Sequence, residues 1–175
     1  MIPLAALSDS VVGLDVAPEM LREAKKNCEA RGISNVELVR SDDSLSNVTG
    51  TFDLIHSFIV FQHIPNKRGE KLMRRLIQRL DEKGIGALHF TYHTASSKPS
   101  KFLYRARRSF KLIHKLLNLR EGNMLNSPLI QMNDYDLNKL LYIIQEEGCR
   151  YCYLHYTRHS NHFGAILFFQ KGGRC

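Results

Sequence analysis

Val11-Val12-Gly13-Leu14-Asp15-Val16-Ala17-Pro18-Glu19-Met20-Leu21 is a short apolar run that ends on a carboxylate and passes directly into a helix. Val11 to Asp15 has the length and β-branched content of a buried strand, and Pro18 sits where a first helical residue tolerates a missing N–H. The helix runs to about Arg31, and Gly32 stops it. Strands and helices then alternate along the chain. Val36 to Arg40 reads as a strand, Phe52 to Ile59 as another, Asn66 to Leu80 as an amphipathic helix ended near Gly84, and Gly86 to His93 as a fourth strand. Strands separated by helices of this length pair in parallel through right-handed crossovers, which predicts an α/β, doubly wound, mostly parallel sheet. Upstream, Met1 to Leu7 reads as the end of a further helix.

The order changes after His93. The segment from Thr94 to Ile130 is a basic helical insert, in which Phe102, Ala106, Phe110, Ile113 and Leu117 recur at helical spacing. A helix is predicted from Asn133 to Glu147, with Asn133 and Asp136 as a capping pair. Cys149 to Thr157 and Phe163 to Gln170 follow as strands, and the short turn-rich Arg158-His159-Ser160-Asn161-His162 between them requires an antiparallel C-terminal hairpin. No internal repeat or low-complexity tract is present, and 175 residues suit one domain rather than two.

The net charge of +8 is local. Lys98, Lys101, Arg105, Arg107, Arg108, Lys111, Lys115 and Arg120 fall in a stretch without Asp or Glu, and such a field attracts anionic partners as well as forming an ordinary solvated helix face. The N-terminus lacks a basic lead before an apolar run, and no stretch approaches the roughly 20 apolar residues of a membrane span, so a cytoplasmic protein is expected. The four cysteines are scattered, and the Cys149/Cys152 pair has no second pair, so reduced core thiols are expected and a zinc site is not. His155, His159 and His162 likewise have no acidic or cysteine partner at ligand spacing.

Two acids stand at strand ends. A carboxylate at the position of Asp15 can accept from both hydroxyls of a ribose, although an acid there also suits a nicotinamide-binding fold or a helix N-terminal charge. Arg40-Ser41-Asp42-Asp43-Ser44-Leu45 follows the next strand; it can present a carboxylate to an adenine amino group or simply form an Asx-rich turn. The third stretch is Thr51-Phe52-Asp53-Leu54-Ile55-His56-Ser57-Phe58-Ile59-Val60-Phe61-Gln62-His63-Ile64-Pro65. Taken in order, GLDVAPEML, VELVRSDDSL and FDLIHSFIVFQHIP resemble the successive motifs of class I S-adenosylmethionine-dependent methyltransferases. The resemblance covers Val11 to His93, and the closing hairpin is similar to the reversed one of that fold.

The resemblance implies S-adenosylmethionine as cofactor. It implies that Asp15 binds the ribose, that Val16 and Met20 pack on the adenine, that Asp42 and the Asp43 backbone hold its amino group, and that Ser57 faces the methionine end. It also implies a first strand and a glycine-rich loop ahead of Met1, whose N–H groups would hold the carboxylate-bearing end of the cofactor. The chain is therefore expected to be the C-terminal three-quarters of such a domain, lacking the first strand, and inactive alone if the loop is not supplied.

Methyl transfer is an in-line displacement, dominated by alignment and helped by a base where the nucleophile carries a proton. His63, just past the third strand, is the candidate base, with Gln62 as a positioning donor; His93 and Tyr92 at the end of the fourth strand face the same crevice, and His159 is a candidate for the acceptor pocket. No Asp/Asn-Pro-Pro-aromatic tetrapeptide of the kind linked by resemblance to amine methylation follows the third strand, which favours an oxygen or carbon acceptor on a small molecule. The basic insert suits an anionic acceptor or peripheral membrane contact, and it lacks the aromatic interleaving of a nucleic-acid platform. The alternative function is a non-catalytic methyltransferase-like remnant serving as a binding or dimerisation module; a nicotinamide-dependent oxidoreductase ranks behind both.

Overall fold

A strand in a parallel sheet needs both faces covered and a crossover to its neighbour, and the first fifty residues build one such crossover. The structure is a computed structural model that describes residues 1–95 and 132–172. The described residues fall into two compact units, one ending at Thr51 and one beginning at Phe52. Nearly all of the basic insert predicted from Thr94 to Ile130, including Lys98 to Arg120 and its apolar stripe, lies outside the described residues.

In the first unit, α1 (Ile2–Ala5) precedes β1 (Val11–Asp15), α2 (Pro18–Glu29) and β2 (Val36–Arg40). Pro18 occupies the start of α2, and Gly32 takes a φ of 65° just past its end, a conformation glycine adopts without a Cβ penalty. The crossover returns β2 parallel to β1, with Val11 opposite Val36 and Asp15 opposite Arg40. Asn35 fixes the entry to the sheet: its Nδ2 donates to the carbonyls of Ala5 and Ser8, both at 2.8 Å, while its own carbonyl accepts from Val11 N at 2.9 Å.

The second unit holds β3 (Phe52–Ser57), a 3-10 turn (Phe61–His63), α3 (Asn66–Gln78), β4 (Leu80–Thr94), α4 (Leu137–Glu146), β5 (Cys149–His159) and β6 (His162–Lys171). Its strands lie in the order β3-β4-β6-β5. β4 runs parallel to β3, while β6 is antiparallel to both β4 and β5. Three strands therefore point one way and β6 alone is reversed, as the closing hairpin predicted.

Alternation on β4 sends Leu88 and Phe90 to one face, where Leu167 and Ala165 of β6 stand opposite them. The apolar stripes of α3 (Met73, Ile77) and α4 (Leu140, Ile143, Ile144) seal that face into one buried cluster. Arg74 of α3 reaches Glu146 at 2.5 Å and Glu147 at 3.0 Å, tying the two helices together at the surface.

Several boundaries differ from the sequence reading. β4 begins at Leu80, before Gly84, because a register shift lets the Asp81-Glu82-Lys83-Gly84 bend sit inside the strand, with Lys83 at a φ of 64°. α4 begins at Leu137 with Asp136 alone as its cap, accepting from Asn138 N at 2.9 Å. Asn133 is not part of that cap: its N–H and Nδ2 both donate to the Gln62 carbonyl, at 2.8 and 3.0 Å. The hairpin turn is only Ser160-Asn161, so His159 and His162 are paired strand residues. Cys28 and Cys149 are buried free thiols, but Cys152 is exposed and is not a core residue. No described helix is long and apolar enough to cross a membrane.

Candidate functional site

Parallel strands end together, so β1 and β2 deliver their C-terminal residues to one place. Asp15 closes β1; its Oδ1 accepts from Ala17 N at 2.8 Å, which fixes the carboxylate over the start of α2. Oδ2 has no partner among the described residues. The Asp15 carbonyl accepts from Ser41 N at 2.9 Å, placing the turn after β2 directly beside it. The two acid-bearing strand ends are thus neighbours.

Asp42 is the organiser of that turn. Its Oδ1 accepts from Ser44 N (2.9 Å), Ser44 Oγ (2.8 Å) and Ser46 N (3.1 Å), and its Oδ2 accepts from Ser46 Oγ at 2.7 Å. These bonds, the Ser46 hydroxyl first, hold the exposed carboxyl well below the usual aspartate range. Both readings of the stretch meet here: the carboxylate builds an Asx-type turn, and Oδ2, with one bond, keeps a lone pair for another donor. Asp43 is exposed beside it. Val16 and Met20, on the far side of Asp15, are 65% and 53% exposed, so neither is spent on the core. Exposed apolar side chains flanking a fixed carboxylate suit a nucleoside, whose ribose needs acceptors and whose base needs apolar cover.

In the second unit Ser57 ends β3 opposite Leu88 and is half-buried. Phe58, Ile59 and Val60 then emerge with 41%, 36% and 49% exposure, and Ile59 is held at a φ of 59°, a left-handed conformation that costs a β-branched residue about 1–3 kcal/mol. His63 ends the 3-10 turn and is exposed. Its Nε2 lies 3.3 Å from Gln62 Nε2, and Gln62 Oε1 accepts from buried Thr91 Oγ1 at 2.9 Å. With the amide in this orientation Gln62 donates to His63 Nε2, which places the imidazole proton on Nδ1. Tyr135 anchors the turn from below, its hydroxyl lying 2.8 Å from the Ile64 carbonyl and 3.1 Å from that of Phe61. His93 is exposed near the end of β4, past a bulge, with its ring 5.9 Å from that of Phe163.

One site feature is absent from the sequence reading. His89, in the middle of β4, is only 2% exposed. Its Nε2 lies 2.8 Å from Thr157 Oγ1 of β5, so the ring reaches across the intervening strand β6. Gly164 makes the crossing open: a Cβ there would stand 2.5 Å from His89 Nε2 and 2.7 Å from Thr157 Oγ1. His89 Nδ1 is buried with no hydrogen-bond partner. Burial, and secondly His159, disfavour protonation of this ring. The described residues contain no cluster of His, Cys, Asp and Glu able to hold a metal ion.

Residues 1–84 match the methyltransferase domain family. Magnesium protoporphyrin IX methyltransferase of Synechocystis PCC 6803, solved with bound S-adenosylhomocysteine, is 17% identical with a TM-score of 0.67, covering 98% of this chain and 68% of its own. A S-adenosylmethionine-dependent methyltransferase of Methanosarcina mazei is 15% identical with a TM-score of 0.69, covering 99% and 87%. TehB of Haemophilus influenzae is 11% identical with a TM-score of 0.64, covering 97% and 52%. No curated protein matches by sequence. Residues 1–84 match the methyltransferase domain family, and the fold of the chain is similar to that of S-adenosylmethionine-dependent methyltransferases.

Proposed function

We propose that this chain transfers the methyl group of S-adenosylmethionine to an oxygen or carbon atom of a small, anionic acceptor. The observation that supports the reading best is the pair of acids on adjoining strand ends, Asp15 with an open Oδ2 and Asp42 in a preformed turn, beside exposed Val16 and Met20. These residues match the needs of an adenosine: Asp15 for the ribose hydroxyls, Asp42 and the Asp43 backbone for the adenine amino group, Val16 and Met20 for the base. A glycine-rich GxGxG loop does not occur among the 175 residues, so the adenosine end is what this chain's own side chains are equipped to hold.

S-adenosylmethionine, when bound, supplies a methyl group on a sulfonium that leaves by in-line displacement. The protein's part is orientation and, for a hydroxyl acceptor, removal of one proton. Ser57 would face the reacting end. His63 would take the proton at Nδ1 once the Gln62 amide rotates to accept from Nε2–H, because with the amide as placed Nδ1 already carries the ring proton; Thr91 can pair with either end of the amide. His93 would line the acceptor side. The basic segment Lys98 to Arg120 argues for an acceptor carrying negative charge.

Isothermal calorimetry with S-adenosylhomocysteine and with adenosine tests the cofactor assignment. Each should bind saturably, and Asp15→Ala should weaken both by at least tenfold, because hydrogen bonds to a charged acceptor contribute about 1.5–3 kcal/mol each. Equal affinities for the parent chain and a well-folded Asp15→Ala would sink the assignment, as would the absence of binding.

A further inference from the structure

Burying an imidazole nitrogen without a partner costs about 1–3 kcal/mol, and His89 carries that cost at Nδ1 while its Nε2 is held by Thr157. The ring cannot simply turn to relieve it, because Nε2 is fixed across β6 at the Gly164 gap. Among the described residues, side chains of two elements stack against the ring. Phe58, leaving β3, has its centroid 4.8 Å away at a tilt of 52°, and His159, ending β5, lies 6.1 Å away; the two are themselves 5.9 Å apart. Phe58 is 41% exposed and precedes the strained Ile59, so its ring can leave His89 by a change of side-chain rotamer alone. Two aromatic rings thus lie against an imidazole whose Nδ1 is buried and unpartnered, the apolar cover with few polar groups that a small-ligand site needs.

Resting on the methyltransferase reading, we propose that His89 is an acceptor-binding residue: when Phe58 moves aside, Nδ1 hydrogen-bonds the hydroxyl of a phenol-like acceptor whose ring packs between Phe58 and His159. Thr157 decides which role Nδ1 plays. If the Thr157 hydroxyl donates to Nε2, Nδ1 carries the proton and donates to the acceptor oxygen; if Nε2 donates to Thr157, Nδ1 accepts the hydroxyl proton in a hydrogen bond. Either arrangement satisfies the buried nitrogen without charging it. Gly164 and Thr157 are then positioning residues, acting through His89.

The probe is 4-methylphenol, titrated into the 15N-histidine-labelled chain and followed by NMR, with S-adenosylhomocysteine calorimetry on the same samples. The Nδ1 resonance of His89 should move saturably, ahead of those of exposed His63 and His93. His89→Gln keeps a polar group near the Nε2 position for Thr157 but has none at Nδ1, and should weaken 4-methylphenol at least tenfold while retaining the circular dichroism spectrum of the parent. His89→Asn, with a polar group near Nδ1, should recover part of that loss. Failure of the Nδ1 resonance to move, or unchanged affinity in folded His89→Gln, overturns the inference. S-adenosylhomocysteine binding without a phenol response overturns it while the cofactor reading stands; a phenol response without S-adenosylhomocysteine binding supports the site and removes the methyl-transfer reading.

Discussion

Tyr135→Phe removes one oxygen from a side chain that is 2% exposed, and the consequence can be worked bond by bond. The hydroxyl donates to the Ile64 carbonyl at 2.8 Å and approaches the Phe61 carbonyl at 3.1 Å. Phe61 O keeps Ile64 N at 2.8 Å, whereas Ile64 O has no other partner among the described residues. One carbonyl is left without a donor, which costs about 1–3 kcal/mol, and the 3-10 turn bearing Gln62 and His63 loses its anchor. Urea unfolding followed by far-UV circular dichroism should show a loss in that range. Gly69 supplies an internal check, since a Cβ on it would run into the Tyr135 hydroxyl and stand 2.8 Å from Cζ. Gly69→Ala should gain about 1 kcal/mol of helix propensity and lose about 1–3 kcal/mol to overpacking. Its net penalty should shrink in the Tyr135→Phe background. A loss below about 0.5 kcal/mol for Tyr135→Phe, or strictly additive effects of the two substitutions, would show that the hydroxyl does not anchor the turn.

Asp42 titrates below the ordinary aspartate value of 3.8, so its turn-holding contribution is complete above that value and is lost as pH falls through the depressed folded one. The Ser44 and Ser46 amide resonances should therefore stay fixed through the normal aspartate range and move only at lower pH; movement centred on the ordinary value would contradict the hydrogen-bond set. Arg74→Met should cost about 1 kcal/mol at low salt and less at high salt, because the guanidinium is a third exposed and bridges two carboxylates; salt-independent loss would point to packing instead. Ile59→Gly should release left-handed strain and raise thermal stability by about 1 kcal/mol or less, net of lost side-chain burial, and a fall in the melting temperature would mean that the side chain does more than its 36% exposure suggests.

Strand and helix order was legible because it rests on patterns within a few residues: Pro18 opens α2, Gly32 closes it, and the short link before β6 dictates its reversal. Asp15 and Asp42 were legible as strand-end acids for the same reason. His89 was not. In Ala87-Leu88-His89-Phe90 it reads as an ordinary residue of a buried strand, and its partner Thr157 lies 68 residues away. The vacancy at Gly164 acquires meaning only when β6 is known to lie between β4 and β5. Asn133 misled for a related reason, since a side chain that suits a helix cap suits equally a distant carbonyl, here that of Gln62, and local spacing cannot distinguish them.

The placing of β6 has a consequence for the order in which the second unit can be completed. β6, made after the three strands it shares a sheet with, occupies an interior position, pairing Ile85 with Gln170 and Tyr151 with that same residue. Until His162 to Lys171 has emerged, β4 lacks its second neighbour and β5 has none, so the second unit cannot close before β6 has been made. Loop closure over such a separation is slow, and during that interval the nascent chain exposes two strand edges that any other extended segment can capture. A stop codon just before His162 would therefore leave β5 without a partner and one edge of β4 bare, in place of a shortened sheet.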